Sequence, residues 1–315
     1  MSAFILTTPV ALIVFNRPET TARIFAAVRE ARPNYLLIVA DGPRTDRPDD
    51  AALCAEVRRI VEQIDWPCEV LKNYSDINLG CSVRPATGIT WVFEQVNEAI
   101  ILEDDCLPEP SFFRYCQELL EMYRHDERIA VIRGDNWPAS VRGVEASYRF
   151  SHYPSTWGWA SWHRVWKNYD INLSAWSGES QISWLKSILG TYVMAWYWQR
   201  IFDRTRRLTD RSWWDYQFVF SCWLQGQFSI VPTNNLVSNI GGGYSATHTT
   251  VKDDPRLDRQ LTQMTFPLHH PGEVRRDLND EITGDVTLAR YEWWLRKTTA
   301  RFMKRVMVDD YGKTI

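Results

Sequence analysis

Three consecutive carboxylates, Glu103, Asp104 and Asp105, follow the apolar run AIIL at positions 99–102. Such a run predicts a strand buried on both faces, and its carboxyl end would lie at the edge of an open α/β sheet, where ligands bind. Adjacent carboxylates repel one another and persist where a cation or hydrogen-bond donors neutralise them. A row of hard oxygen ligands favours Mg²⁺ or Mn²⁺ shared with substrate phosphates.

The triplet also has a structural interpretation. The residues PEPS at 108–111 lead from it into a predicted helix over 112–123. Acidic residues favour helix N-termini, so the three carboxylates could cap that helix instead of binding a metal. The buried strand directly before the acids favours the metal site.

A fourth carboxylate of interest is Asp215, within the segment RSWWDYQFVFSCW. We expect a helix here with Ser212 as its N-cap, which places Asp215 in the first turn. Apolar surroundings raise the pKa of a carboxyl group and suit it to proton transfer. The alternative is that Asp215 only complements the helix dipole.

The first half of the chain alternates strand and helix signals. Strands are predicted over 10–15, 35–40, 68–71 and 99–102, and helices over 19–32, 50–64 and 82–96. This alternation predicts a parallel, doubly wound sheet whose four strand ends converge on one crevice.

Two polar residues after these strands fit a nucleotide. Arg17 could pair with phosphate or stack on a base, and Asp41 could accept from a ribose hydroxyl or a base N–H. A strand-end Asp is as often a turn former, so both roles for Asp41 stay open. The chain has neither GxGxxG nor GxxxxGK[ST], so the phosphate loops of dinucleotide enzymes and P-loop kinases are missing.

The second half is rich in tryptophan: eleven of the 16 tryptophans fall between Trp157 and Trp223. Buried tryptophans build a core, whereas those on a cleft wall stack on sugar rings. We expect most to be core and two or three to face a ligand, with Trp157 and Trp214 as candidates. One long helix is predicted over 182–202 and a strand over 228–231.

A glycine-rich segment follows. Gly241–Gly243 precede Ser245, Thr247, His248 and Thr249. This composition predicts a mobile polar loop that closes over a substrate, with His248 contacting a diphosphate or a metal. A surface loop without a role is the alternative.

Composition excludes some classes of protein. The net charge of −3 argues against broad nucleic-acid binding. No run reaches the roughly 18 to 20 apolar residues of a membrane-spanning helix, and the N-terminus reads as a first strand and not as a signal peptide. Six cysteines without a CxxC pair favour a reducing compartment, so we expect a cytoplasmic protein. Basic clusters and a predicted helix over 285–307 leave peripheral association with the inner membrane open, beside a packing role.

Three segments together resemble a known family: ILEDDCLPEPSFFRYC, STWGWASW and the WWD helix start. They are similar to GT-A nucleotide-sugar glycosyltransferases related to N-acetylglucosaminyltransferase I, and especially to bacterial polysaccharide-biosynthesis relatives, over about residues 8–250. The resemblance implies a Rossmann-like, mostly parallel open sheet flanked by helices, with an aromatic-rich acceptor half. It divides the chain into a glycosyltransferase domain over 1–250 and a helical extension over 251–315. Within the domain, residues 1–110 form the nucleotide-sugar and metal half, and residues 111–250 form the acceptor half with the mobile loop.

The resemblance also implies roles for individual residues. Asp105 would bind Mn²⁺ or Mg²⁺, Asp104 the sugar or ribose, and Glu103 the donor sugar or uridine. Asp215 would be the catalytic base, although Tyr216 stands where the family has a second acid, and Asn16 stands where it has an acid before Arg17. The implied contacts of the donor or acceptor are Arg17, Asp41, Arg84, Trp157, Trp214 and His248.

The implied activity is an inverting, metal-dependent transfer from a nucleotide-sugar, in first place a UDP-sugar, to a hydroxyl of a glycan or lipid-linked acceptor in bacterial surface polysaccharide synthesis. Two alternatives remain: a non-catalytic carbohydrate-binding protein and a sugar-phosphate nucleotidyltransferase. The latter usually has a glycine-rich basic loop, whereas the first strand here ends in FNRPETT. The sequence leaves the donor, the acceptor and the oligomeric state open.

Overall fold

The first half of the chain alternates strands with helices in a computed structural model that describes residues 4–137, 145–208, 213–242 and 256–276. The elements are β1 (Val10–Val14), α1 (Pro18–Ala31), β2 (Tyr35–Ala40), α2 (Asp50–Val61), β3 (Glu69–Tyr74), α3 (Gly80–Gln95) and β4 (Glu98–Glu103). The predicted alternation is confirmed, with ends that shift by at most three residues.

The second half mixes short strands with a group of helices. Its elements are β5 (Cys106–Pro108), α4 (Ser111–Met122), β6 (Ile129–Arg133), β7 (Tyr148–Ser151), β8 (Trp159–Trp162), α5 (His163–Trp166), a 3₁₀ turn (Gly178–Gln181), α6 (Ile182–Leu189), α7 (Tyr192–Arg207), α8 (Asp215–Leu224), β9 (Phe228–Pro232) and β10 (Val237–Asn239).

Eight strands form one sheet in the order β3-β2-β1-β4-β8-β6-β9-β7, and β10 pairs with β5 in a separate antiparallel ribbon. Strands β3, β2, β1 and β4 are parallel to one another. Strand β8 is antiparallel to both β4 and β6, and β7 is antiparallel to β9. Six of the eight strands therefore point the same way, which confirms the predicted α/β class with a mostly parallel open sheet.

The order of the first four strands reverses between β1 and β4. Successive crossovers carry the chain from β1 outward to β2 and β3, and α3 then returns it to the other side of β1. Because parallel crossovers are right-handed, α1 and α2 cover one face of the sheet and α3 covers the other. The gap between the ends of β1 and β4 is a topological switch point, where open α/β sheets bind ligands.

The predicted single helix over 182–202 is wrong, because the structure breaks it into α6 and α7. Gly190 ends α6 in the left-handed region at φ 77°, and the Thr191 side chain caps α7 by accepting from the Met194 N–H at 3.3 Å. A glycine adopts that conformation at little cost and a threonine is a good N-cap, so two local signals overrode the apolar periodicity.

The start of α8 also differs in part from the prediction. Trp214, and not Ser212, is its N-cap residue, while Asp215 lies in the first turn as expected. Ser212, His248 and the predicted helix over 285–307 lie outside the described residues. Across the part of the chain that the structure describes, no helix has the length and hydropathy needed to cross a membrane.

The apolar side chains form two cores. The larger one surrounds the sheet, and the smaller one joins α6, α7 and α8 through residues such as Trp176, Trp198 and Phe202. Seven of the eleven tryptophans from Trp157 to Trp223 are buried, so the expectation that most are core residues is confirmed.

Candidate functional site

The switch point brings Arg17 onto the acid triplet. Arg17 follows β1, and its Nη1 donates to Asp105 Oδ2 at 2.7 Å and to Asp104 Oδ1 at 3.3 Å. The backbone N–H of Phe15 donates to Asp104 Oδ2 at 3.0 Å. The first strand end thus supplies the donors that hold two of the three carboxylates in place.

The interpretation of the triplet as a cap for the next helix is wrong. Strand β5 intervenes, and α4 begins at Ser111 with no acidic residue in its first turn. Glu109 Oε2 instead accepts from the Ser111 N–H at 2.7 Å. Glu109 therefore accepts from the first N–H of α4, and the three carboxylates of the triplet are not needed to cap that helix.

Burial and mutual repulsion perturb these acids. The pKa of Glu103 is raised well above its usual value, first by burial and then by the negative charges of Asp105, Asp104 and Asp215. Burial also raises the pKa of Asp104 to about 6, although Arg17 opposes the shift. The Arg17 guanidinium thus lies beside the three carboxylates of the triplet, and Asp215 adds a fourth acid beside Glu103. Such a surplus of acidic groups over basic ones fits a cationic ligand.

Asp215 reaches this cluster because the starts of α3 and α8 meet. Ser82 in α3 donates its hydroxyl to the backbone oxygen of Trp213 at 2.9 Å, and the Tyr169 hydroxyl donates to that of Trp214 at 3.2 Å. Asp215 then opens α8, and its Oδ1 accepts from the Tyr216 N–H at 3.0 Å. Its charge acts on Glu103, so residues that are far apart in sequence share one site.

The glycine-rich segment begins directly beside Asp105. The Ile240 N–H donates to the backbone oxygen of Asp105 at 2.8 Å, next to the pairing of β10 with β5. A Cβ at Gly241 would stand 2.4 Å from Asp105 Oδ2, so only glycine fits at this position. Residues 243–255, which include His248, lie outside the described residues.

Asp41 is buried at the end of β2, and its acceptor capacity is used internally. Its Oδ1 accepts from the N–H groups of Gly42 and Leu79, both at 2.9 Å. Its Oδ2 accepts from Asn78 Nδ2 and from the Gly80 N–H, both at 3.0 Å. A carboxylate has about four lone-pair sites, so Asp41 is saturated and ties β2 to the start of α3.

The remaining predicted contacts lie in different surroundings. Arg84 is buried in α3 and donates to the side chain of Asn73 at 2.9 Å. Trp157 is half-buried, and the guanidinium of Arg256 lies 5.9 Å from its ring centroid. Trp214 is buried and packs against Trp159 and Phe218, so it belongs to the core.

Sequence reasoning missed a polar group after β6. Arg133 Nη2 donates to Asp135 Oδ2 at 2.6 Å, with both side chains about 5% exposed. Asn136 donates from Nδ2 to the backbone oxygen of Thr233 at 2.9 Å. Strand β6 points the same way as β4, so these residues share the edge of the site. The letters RGDN after an apolar run were the available signal.

The carboxylates fit a divalent cation that also binds a substrate. Within the described ranges, no group of three or more His, Cys, Asp or Glu side chains forms a metal site. Mg²⁺ and Mn²⁺, however, are commonly held by one or two carboxylates together with phosphate oxygens. Asp105, whose side chain is 15% exposed, can supply such a carboxylate.

Comparisons with known proteins find a distant structural likeness and no match in sequence. No family model matches the chain, and no curated protein matches it. A solved structure of S. aureus TarS, residues 1–349, aligns with a TM-score of 0.35 and 12% identity, over 58% of this chain and 56% of that one. The chain thus spans a little over half of that structure.

Proposed function

We infer that this protein is an inverting glycosyltransferase that moves a sugar from a nucleotide-sugar to an acceptor hydroxyl. The observation that carries the proposal is the meeting of the Arg17-bound acid triplet with Asp215 at the switch point of the sheet. Open α/β sheets bind nucleotides at this point. The sequence resemblance to GT-A enzymes supports sugar transfer, with a UDP-sugar as the first donor to test.

Each member of the cluster has a distinct role in the proposed reaction. Asp104, which Arg17 and the Phe15 N–H hold in place, would contact the ribose or the sugar, and Glu103 would contact the sugar or the uridine. Asp41 acts by holding the start of α3 in place. A divalent cation on Asp105 would supply Lewis-acid stabilisation of the charge on the leaving diphosphate.

Asp215 is the proposed base. It takes the proton of the acceptor hydroxyl while that oxygen forms a bond to the anomeric carbon and the bond to the diphosphate oxygen breaks. The nucleoside diphosphate leaves with the electron pair. A base on the acceptor side gives a single displacement, which inverts the anomeric configuration.

The test measures nucleotide binding and sugar transfer by the full chain. Calorimetric titration with UDP, with and without Mn²⁺, is followed by transfer assays with UDP-sugars and NMR of the anomeric proton. Asp105→Ala should abolish metal-dependent UDP binding. Asp215→Asn should keep UDP binding and lower the transfer rate by about 10² to 10⁴.

Asp46→Asn is the control variant, because the side chain of Asp46 is exposed. Glycan binding that needs neither nucleotide nor metal would instead identify a carbohydrate-binding protein. Release of pyrophosphate from a sugar phosphate and a nucleoside triphosphate would identify a nucleotidyltransferase. Transfer with retention, or near wild-type rates in both variants, would contradict the proposal.

A further inference from the structure

The outward face of α7 carries an exposed apolar group. Tyr192, Val193 and Trp196 are 50%, 68% and 56% exposed. They are three of the nine large hydrophobic side chains that are exposed in the described parts of the chain, and they lie within five residues of one another. Residues one turn apart lie on the same side of a helix, so the three form one patch.

The opposite side of α7 fixes this orientation. Met194, Trp198 and Phe202 point into the smaller core, where Trp198 lies 4.8 Å from Trp223 between ring centroids. Rotation of the helix would bury the patch only by exposing these side chains. The exposed apolar group is therefore a stable property of the folded chain.

The same outward face continues into a basic region. Arg200 and Arg207 follow Trp196 by one and by three turns, and Lys186 of α6 places its Nζ 6.0 Å from the ring centroid of Tyr192. Residues 182–207 contain five basic side chains and one acidic side chain, whereas the whole chain has a net charge of −3. The acidic one, Asp203, accepts from Trp176 Nε1 at 2.9 Å.

We propose that this face, formed by Lys186, Tyr192, Val193, Trp196, Arg200 and Arg207, docks onto an anionic lipid bilayer. Tryptophan and tyrosine rings favour the membrane interface, and arginine and lysine are attracted to anionic headgroups. A second copy of the chain is the less suitable occupant, because a symmetric contact would bring like charges together.

The docking face lies on the helix that supports the start of α8. Thr205, on the inner side of α7, accepts from Trp213 Nε1 at 3.0 Å, and Trp198 contacts Tyr216 with 5.9 Å between ring centroids. Docking would therefore leave the contacts that hold Asp215 undisturbed. The inference goes beyond the proposed function and does not depend on it, since membrane binding needs neither donor nor acceptor.

The test is co-sedimentation of the full chain with sucrose-loaded vesicles of phosphatidylcholine, alone or mixed with phosphatidylglycerol. We expect binding to the mixed vesicles at low salt and its loss at high salt. Val193→Ser with Trp196→Ser, and separately Arg200→Glu with Arg207→Glu, should each lower the partition coefficient by roughly tenfold or more.

The control variants change exposed apolar and basic residues elsewhere on the surface. Leu224→Ser removes an apolar side chain that is 43% exposed, and Arg59→Glu with Arg128→Glu reverses two side chains that are 64% and 60% exposed. These variants should bind as the wild type does, and circular dichroism melts check that every variant is folded.

Three results would overturn the proposal. Equal binding to both vesicle types would show that the basic residues do not contribute to binding. Full binding by the folded Val193→Ser/Trp196→Ser protein would show that the apolar patch does not contribute. If light scattering shows that the wild type is a dimer and the Val193→Ser/Trp196→Ser protein a monomer, the face binds a second copy of the chain.

Discussion

The backbone of Gly241 lies against the carboxylate of Asp105, so that a Cβ at residue 241 would stand 2.4 Å from Oδ2 and 2.6 Å from Cβ of Asp105. Asp105 is also held by Arg17 at 2.7 Å, so it cannot move aside without breaking that contact. Gly241→Ala should cost about 1–3 kcal/mol of stability and weaken metal-dependent UDP binding. Melting curves and calorimetric titration measure both effects.

Gly272→Ala is the matched control for that substitution, because a Cβ there would meet no atom within 4 Å. It should leave stability and UDP binding unchanged. Wild-type stability and affinity in Gly241→Ala would show that the close approach to Asp105 is not maintained in solution.

Asp41 offers a way to separate a positioning role from a nucleotide contact. Asp41→Asn replaces one acceptor oxygen by an amide that faces N–H donors, and it should lower the free energy of unfolding by about 1–3 kcal/mol. Urea denaturation measures this change, with the exposed Asp46→Asn as control. Unchanged stability together with a loss of uridine-nucleotide affinity would assign Asp41 to the ligand instead.

His152 should make stability depend on pH. Burial, followed by the positive charge of Arg276, lowers its pKa from 6.5 to about 4. The folded state therefore favours the neutral ring. Protonation of His152 lowers the free energy of unfolding by about 3 kcal/mol, an effect that is absent above pH 6.5 and grows as the pH falls towards 4. The raised pKa of Asp104 acts in the opposite direction between pH 4 and about 6.

Comparison with His152→Asn isolates this effect, because asparagine does not titrate. The stability of the wild type relative to the variant should rise between pH 4 and 6.5 and stay constant above that range. Urea denaturation at a series of pH values gives the difference, and a flat difference would refute a lowered pKa for His152.

Two indole hydrogen bonds allow a matched test of how α7 supports Asp215. Thr205 accepts from Trp213 Nε1 at 3.0 Å, and Thr90 accepts from Trp166 Nε1 at 2.9 Å. Thr205→Val and Thr90→Val should each cost about 1–2 kcal/mol of stability. Thr205→Val should also lower kcat, with KM for the donor unchanged, and by more than Thr90→Val does, because Trp166 reaches the start of α8 through ring contacts with Trp214 and Tyr169. An equal fall in kcat for both would point to a general loss of packing.

The parallel half of the sheet could be predicted because three of its four strands, β1, β2 and β4, contain apolar runs that are followed by polar or turn residues. The sheet order could not, because β8 enters between β4 and β6 through contacts distant in sequence. The break at Gly190 was missed since the apolar periodicity continues past it. The left-handed conformation of Gly190 therefore outweighed the helical spacing of the apolar residues on both sides of it.

Some residues of the candidate site could be predicted from the sequence and others could not. The triplet after β4 was visible because three acids at the end of an apolar run are unusual, and its contact with Arg17 follows from the parallel pairing of β1 with β4. The use of Asp41 was ambiguous, because the donors that saturate it come from the loop before α3. The number of tryptophans in the second half does not show which of them are buried, so the core position of Trp214 could not be predicted.

Helix α8 is packed on two sides, with Trp214 and Phe218 in the sheet core and Phe220 and Trp223 in the smaller core. It is therefore a partition between two cores that have no buried residue in common. Substitutions confined to the smaller core would tilt the partition and redirect Asp215 without disturbing the strand ends that hold Arg17 and the triplet. Under the proposed function, residues of the smaller core would in this way adjust the acceptor side of the site without touching a substrate.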